Sequence, residues 1–335
     1  EYVSEEKIEL VANENYWDGA PEIKSITVKN IGSDTKADAM LSGDIDLAQG
    51  PDATSLSRVE NNDDINIVKV TGTRENDFEL NCREGNPLSD KNLRLALSYA
   101  VDRDVVAQVA GNGYSSPIGT AFPPSVGYDS DKVTAQTYDL DKAKQELIDG
   151  GWTLNEKGEE YKEGTDKYRY KEVDGELMKL KVEVACCEDD YSKLYNTVIP
   201  PEAEKIGMEY KYTSMDFALM INHLNRQGID EPEYNIFYSS IGIPEILFYW
   251  NCFDDDPSLM GSWNVNYISD PELKAIGKEM QKVDPEDIDG FRKLYGEFQL
   301  AYNKKLPSLP MGSGVSYMFF NPKLKNFVPR AHVGW

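Results

Sequence analysis

The chain has 335 residues, 40% hydrophobic and 11% aromatic, and carries a formal net charge of −24. That length and apolar content suit more than one compact unit. Acids scattered in such excess repel phosphate backbones and anionic lipid, so partnership with nucleic acid and an interfacial membrane role are both disfavoured. No apolar run approaches the roughly 20 residues that span a bilayer. The opening Glu1-Tyr2-Val3 runs straight into an alternating pattern, which reads as a chain cut from a longer parent.

In chain order, alternation predicts strands over 8–12 and 23–28 around a loop holding Trp17, Gly19 and Pro21. A short helix over 34–41, a Ser42-Gly43 turn and a strand through Ile45 and Leu47 follow. A strand over 65–70 then precedes an extended stretch over 77–81. The clearest helix is capped by Ser89 or Asp90 and sets Leu93, Ala96, Leu97, Ala100 and Val101 on one face. A second runs through Val105, Val106 and Val109 to Gly111-Asn112-Gly113. After a Pro-, Gly- and Ser-rich loop, Asp139 caps a helix with Ala143 and Leu147 on one face, ended by Gly150-Gly151. The polar stretch 155–175 predicts an exposed hairpin. Beyond it come a strand over 177–185, a helix over 191–206 broken or kinked at Pro200-Pro201, and a strand over 208–213, the order of an α/β lobe. A helix over 215–226, a strand over 234–239 and the aromatic run Phe248, Tyr249, Trp250 lead to two helices with matching starts, Asp270-Pro271-Glu272 and Asp284-Pro285-Glu286. A last extended segment covers 315–320.

Catalytic and metal signatures are few. His223 and His332 are the only histidines, and His223 has no carboxylate at helical spacing, which speaks against a triad or a His-rich metal site. Gly312-Ser313-Gly314-Val315-Ser316 lacks both the spacing of a nucleophile elbow and the Lys of a phosphate loop, and reads as a crossing strand. Asp254-Asp255-Asp256 reads as a solvated turn. An EF-hand loop centred on Gly290 fails, because its last ligand would be Gly296. Cys82, Cys186, Cys187 and Cys252 are too few and too irregularly spaced for a disulfide framework or paired zinc arms, and read as buried thiols. Cys186 and Cys187 end a strand, so their side chains point to opposite faces. No metal or cofactor is expected. Carboxylates that meet only in the fold leave a hydrolase open as the alternative.

Several segments, in order, resemble the extracellular solute-binding proteins that include oligopeptide-, dipeptide- and nickel-binding members. They are Ala12-Asn13-Glu14-Asn15-Tyr16-Trp17-Asp18-Gly19-Ala20-Pro21; Leu41-Ser42-Gly43-Asp44-Ile45-Asp46; and Leu80-Asn81 with Pro87-Leu88-Ser89-Asp90 and the run from Leu93 to Arg103. Tyr138-Asp139 to Trp152, Lys305-Leu306-Pro307-Ser308-Leu309-Pro310, and Asn321 to Phe327 complete the set. Asn92 stands where the family has an Arg, and Leu140 where it has a Pro. The resemblance implies an α/β, two-lobed periplasmic-binding-protein-like fold with lobe one incomplete: residues 1–77 and 311–335 in lobe one, 78–310 in lobe two, and hinge strands over 78–81 and 311–315. It also implies a non-catalytic, monomeric component of an ABC importer that works outside the cytoplasm, lipid-anchored in the full-length parent. Such a protein passes a peptide, or a solute such as an oligosaccharide, to a permease.

The family's ligand-anchoring segment corresponds to Ser239-Ser240-Ile241-Gly242-Ile243-Pro244-Glu245, with Ile241 replacing its Trp and its Asp absent; Glu245 is the substitute. Phe217 stands where many members have a Trp, and Gly312 where an aromatic is usual. Ser239 and Ser240 end a strand and either pair with an extended ligand or form a plain loop. Phe217, Tyr249 and Trp250 either line a pocket or pack in the core. The candidate ligand-binding set is therefore Phe217, Ser239, Ser240, Glu245, Trp250 and Gly312.

Overall fold

The computed structural model describes residues 2–4, 6–32, 34–50, 53–111, 115–120, 132–187, 190–225, 234–242, 253 and 256–328. They fall into two compact units. The first takes its described residues from Glu1–Val70 and Ser316–Pro329, the second from Thr71–Val315.

In the first unit β1 (Tyr2–Val3), β2 (Lys7–Val11) and β3 (Ser25–Lys29) form an antiparallel sheet in that order, with Ile8 opposite Val28 and Leu10 opposite Ile26. After it come α1 (Lys36–Ser42), β4 (Leu47–Gln49) and α2 (Ala53–Val59), the last of which the sequence pattern does not predict. Ala37, Met40, Ala48, Val59, Ile65 and Phe319 make this unit's core.

β5 (Asn66–Leu80) is one 15-residue strand rather than the two extended pieces the sequence suggests. Its intervening Thr71-Gly72-Thr73-Arg74-Glu75-Asn76 is polar and offers no local apolar alternation, so only pairing reveals it as strand. A 3-10 turn (Pro87–Ser89) leads into α3 (Lys91–Ala100), capped by Asp90, whose side chain accepts from Asn92 N at 2.9 Å. α4 (Arg103–Gly111), β6 (Ser115–Pro117) and the Asp139-capped α5 (Leu140–Asp149) follow. The hairpin lies later than the predicted 155–175: β7 (Tyr170–Val173) pairs with β8 (Glu176–Lys179) about Asp174-Gly175, both at positive φ (51° and 84°) as a two-residue hairpin turn requires, and the predicted strand over 177–185 is divided between β8 and the next strand.

β9 (Lys181–Cys187), α6 (Asp190–Lys205) and β10 (Glu209–Met215) form the expected strand–helix–strand unit with parallel strands. Pro200 and Pro201 lie inside α6, which runs as one helix instead of breaking. Ile199 and Ala203 are buried in the core on either side of them, so packing outweighs the lost backbone donors. α7 (Phe217–Leu224), β11 (Ile236–Gly242), α8 (Pro271–Met280), α9 (Ile288–Lys305) and β12 (Ser308–Phe320) complete the set. Asp270 caps α8 as predicted. Asp284 does not cap α9: it closes a turn by accepting from Glu286 N at 2.9 Å, and Asp287 is the cap, accepting from Gly290 N at 2.9 Å.

Strand order in the main sheet is β10-β9-β11-β5-β12, with β6 pairing Gly312–Gly314 of β12 and β4 pairing Met318–Phe320. One face of this sheet in the second unit carries Val182, Val184, Cys186, Phe78, Leu80, Ile236 and Tyr238 into a core completed by α3, α5, α6, α8 and α9. Two buried guanidinium groups bind that core through carbonyl oxygens: Arg94 donates to Lys305 O and Leu88 O at 2.7 Å each, and Arg103 to Pro310 O at 2.6 Å and Ser98 O at 3.0 Å. Burial lowers the Arg103 pKa to about 10. Cys186 faces the main core and Cys187 the other side, where its Sγ lies 3.6 Å from Met220 Sδ, the opposed placement predicted for the pair.

Candidate functional site

β11 organises the site. It runs parallel to β9 at Ile236 and Phe237 and antiparallel to β5 along Ile236–Gly242, with Ser239 opposite Asp77 and Ser240 opposite Asn76. Alternation sends Ile236 and Tyr238 into the main core, where Tyr238 stacks on Phe78 at 4.3 Å and its hydroxyl donates to Asn196 Oδ1 at 2.8 Å. Phe237 and Ser239 point to the other face, which α7 covers by packing Met220 and Leu224 with Ala185 and Phe237. Phe217 opens α7 directly after its cap Asp216 and is 65% exposed, at the end of that covering helix. Ser239 is half-buried and Ser240 exposed, so the strand end presents hydroxyl and backbone groups together.

The structure thus brings Phe217 and Ser239 to one side of the sheet, with Ser240 on the opposite side of β11. Gly312 lies in β12 opposite Pro117 of β6, and a Cβ there would meet Ser115 Oγ at 2.6 Å and Ser116 O at 3.2 Å. β6 thus approaches β12 closely enough that any side chain at this position would require Ser115 to turn and the Ser116 carbonyl to shift. Glu245, Tyr249 and Trp250 lie outside the described residues.

The same face holds three residues absent from the sequence-derived set. Glu75, Asp77 and Glu79 alternate along β5 opposite the core residues Phe78 and Leu80, yet are 4%, 5% and 5% exposed. Directly opposed residues share a face, so Asp77 and Ser239 are neighbours there. Asn266 Nδ2 donates to Glu79 Oε2 at 2.6 Å, to Pro307 O at 2.9 Å and to Leu80 O at 3.3 Å. Asp77 lies beside Ser308, whose hydroxyl bonds Tyr302 and which works against the upward shift of the Asp77 carboxyl. Burial, then the charges of Glu79 and Glu75, push the Asp77 carboxyl well above the usual carboxylate range. Burial also raises Glu79, against the bond from Asn266 and the neighbouring Asp77. Tyr302 is raised by burial and by the three carboxylates. The clue in the sequence was the strict alternation of acid with apolar residue from Asp77 to Leu80, which ordinarily marks a solvated face. Among the described residues no group of His, Cys, Asp and Glu is placed to hold a metal ion, and no helix is long and apolar enough to cross a membrane.

A profile of the bacterial extracellular solute-binding proteins, family 5, middle region, matches residues 1–247. The oligopeptide-binding protein OppA of Lactococcus lactis is 24% identical over 96% of this chain and 54% of its own length. Heme-binding protein A of Haemophilus influenzae is 22% identical over 98% of this chain and 55% of its own. The structure of the oligopeptide-binding protein AppA from Bacillus subtilis, solved with a nonapeptide, superposes with a TM-score of 0.71 at 19% identity, covering 100% of this chain and 63% of that one. The chain therefore spans little more than half the length of these curated relatives and has the periplasmic-binding-protein-like α/β fold. By the match over most of its length, it belongs to the family 5 bacterial extracellular solute-binding proteins.

Proposed function

We propose that this chain is the ligand-binding part of an ABC-importer solute-binding protein, working outside the cytoplasm and handing a peptide to a permease. The family match over residues 1–247 carries this reading. The end of β11 supports the peptide class: Ser239 and Ser240 offer backbone and hydroxyl groups to an extended chain, with exposed Phe217 on the Ser239 side. The similarity to Heme-binding protein A favours, as a second reading, a non-peptide solute at the same place.

The proposal includes a non-catalytic role, a monomeric chain, a lipid anchor on the full-length parent, and a division into lobes at 77/78 and 310/311. Those two positions fall within β5 and β12, the strands in which the compact units also divide, which supports the division. Thermal unfolding of the 335-residue chain with peptides of three to nine residues, with heme and with oligosaccharides tests the function. A bound class at about 100 times its Kd adds about 2.7 kcal/mol of stability. A flat response to every class overturns the proposal. Turnover of a peptide or glycoside, lost on replacing one carboxylate, would replace it with the hydrolase alternative.

A further inference from the structure

Three sulfur-bearing side chains meet where β9 and β10 end and α7 begins, on the sheet face that α7 covers. β9 and β10 are parallel, with Ser214 opposite Cys186 and Met215 opposite Cys187. The first of these pairs turns to the main core, where the Cys186 thiol and the Ser214 hydroxyl are 3.5 Å apart. By alternation the second pair turns to the α7 face, and a strand spacing of about 4.8 Å sets its two side chains next to each other. From α7, Met220 brings its Sδ to 3.6 Å from Cys187 Sγ. Met215 and Met220 are 7% and 3% exposed, in one apolar cluster with Ala185, Leu224, Tyr234 and Phe237, and Cys187 packs half-buried against it.

This donor set discriminates between metals. Zinc is held by thiolate, imidazole and carboxylate, and among the described residues no group of three or more His, Cys, Asp and Glu is placed to hold an ion. One thiol with two thioethers is instead a soft set, of the kind that selects monovalent copper. The spacing suits it: two sulfurs 3.6 Å apart, each about 2.3 Å from a metal, subtend an angle of about 100° there. Met215, unbranched and with three rotatable bonds, can close on the ion as the third ligand.

We propose that Cys187, Met220 and Met215 form a binding site for one Cu(I) ion, which on binding ties the end of β9 to α7. Cys187 Sγ releases its proton to solvent and donates a lone pair as thiolate; each thioether donates one lone pair. No electron is transferred, and the ion stays monovalent. One thiolate with one monovalent cation is neutral, which an apolar surround tolerates, whereas a divalent ion would leave a net buried charge. The half-buried Cys187 gives the ion its entry, and the two methionines hold it from the dry side. The site stands without the solute reading, because no solute takes part in the metal's binding.

Anaerobic titration of the reduced whole chain with Cu(I), in competition with the chelator bicinchoninate, tests it. Wild type should withdraw one equivalent of copper from the chelator, and Cys252→Ser should do the same. Cys187→Ser should withdraw none, and Met220→Leu, which nearly keeps the volume, should bind at least about tenfold more weakly. No uptake by wild type, uptake that survives Cys187→Ser or is lost in Cys252→Ser, or equal affinities of Met220→Leu and wild type each overturn the proposal. Should the variants fold poorly, X-ray absorption at the copper edge of the loaded wild-type chain decides. A shell of sulfur alone at about 2.3 Å upholds the site, and a shell containing nitrogen or oxygen overturns it. If copper is bound while every solute class leaves the protein unshifted, the functional reading alone falls; if a solute stabilises the chain and copper is not taken up, the metal site alone falls.

Discussion

Asp270 shows how a single carboxylate can be held in the charged form inside a fold. It is 9% exposed, accepts from Glu272 N and Leu273 N at 3.0 Å each, and lies 2.8 Å from Lys305 Nζ. Burial pushes its carboxyl up, but the Lys305 ammonium and the two backbone donors outweigh burial and hold it below the ordinary range. Its folded-state pKa is thus depressed, so its contribution is present above the unfolded value and is lost as pH falls through the folded one. Replacing Asp270 with Ala should cost about 1–2 kcal/mol at pH 7 through the lost cap and ion pair. Urea unfolding at pH 7 and pH 3 checks this, with the gap between wild type and variant narrowing at pH 3. An equal gap at both would show that packing, rather than the charge, is what the variant removes. Asp77 has the opposite signature: buried beside like charges, it loses its contribution as pH rises.

At the level of elements, the approach of β6 to β12 is set by the missing side chain at Gly312. Gly312 is opposite Pro117, and a Cβ there would require Ser115 Oγ to turn away and the Ser116 carbonyl to give way by a few tenths of an ångström. Gly312→Val should therefore destabilise by about 1–3 kcal/mol, the usual range for overpacking. Adding Ser115→Gly should recover part of the loss, since it removes the hydroxyl but not the Ser116 carbonyl. Equilibrium denaturation of both variants checks this, and a Gly312→Val chain as stable as wild type would mean that β6 moves away freely. Helix starts repeat the lesson of local geometry. Asp90, Asp139 and Asp270 cap as their sequences predict, whereas the equally suggestive Asp284-Pro285-Glu286 closes a turn and leaves the cap to Asp287. Both outcomes satisfy the same backbone donors, so sequence does not choose between them.

Across the whole molecule the charge of −24 is a net self-repulsion that folding concentrates. Screening shortens its reach from about 10 Å at 0.1 M salt to about 3 Å at 1 M. The melting temperature should rise between 0.02 M and 0.5 M NaCl; a fall would mean that attractive ion pairs, such as Lys171–Asp90 and Lys179–Glu209, dominate instead. The membership in family 5 was legible in ordered motifs spread from Ala12 to Phe327, because those segments carry turns, caps and helix faces whose chemistry is local. The candidate site was legible only in part. Phe217 and Ser239 emerge on one side of the sheet, Gly312 emerges where β6 pairs with β12, and the sequence-derived set does not include Glu75, Asp77 and Glu79, whose burial shows only in the fold.

By itself, the sequence determined the caps of α5 and α8, narrowed the cap of α3 to Ser89 or Asp90, and set the opposed cysteines and the order of strand, helix and strand from β9 to β10. Each depends on residues within a few positions of one another. Only the tertiary structure decided that β5 is one strand, that Pro200 and Pro201 stay within a helix, and that three acids of β5 are buried. Those outcomes depend on partners far along the chain: Ser239 across the ladder, Asn266 on Glu79, Ser308 on Asp77. Alternating acids read the same whether water or another part of the chain covers them, and burial is decided by what arrives to cover them.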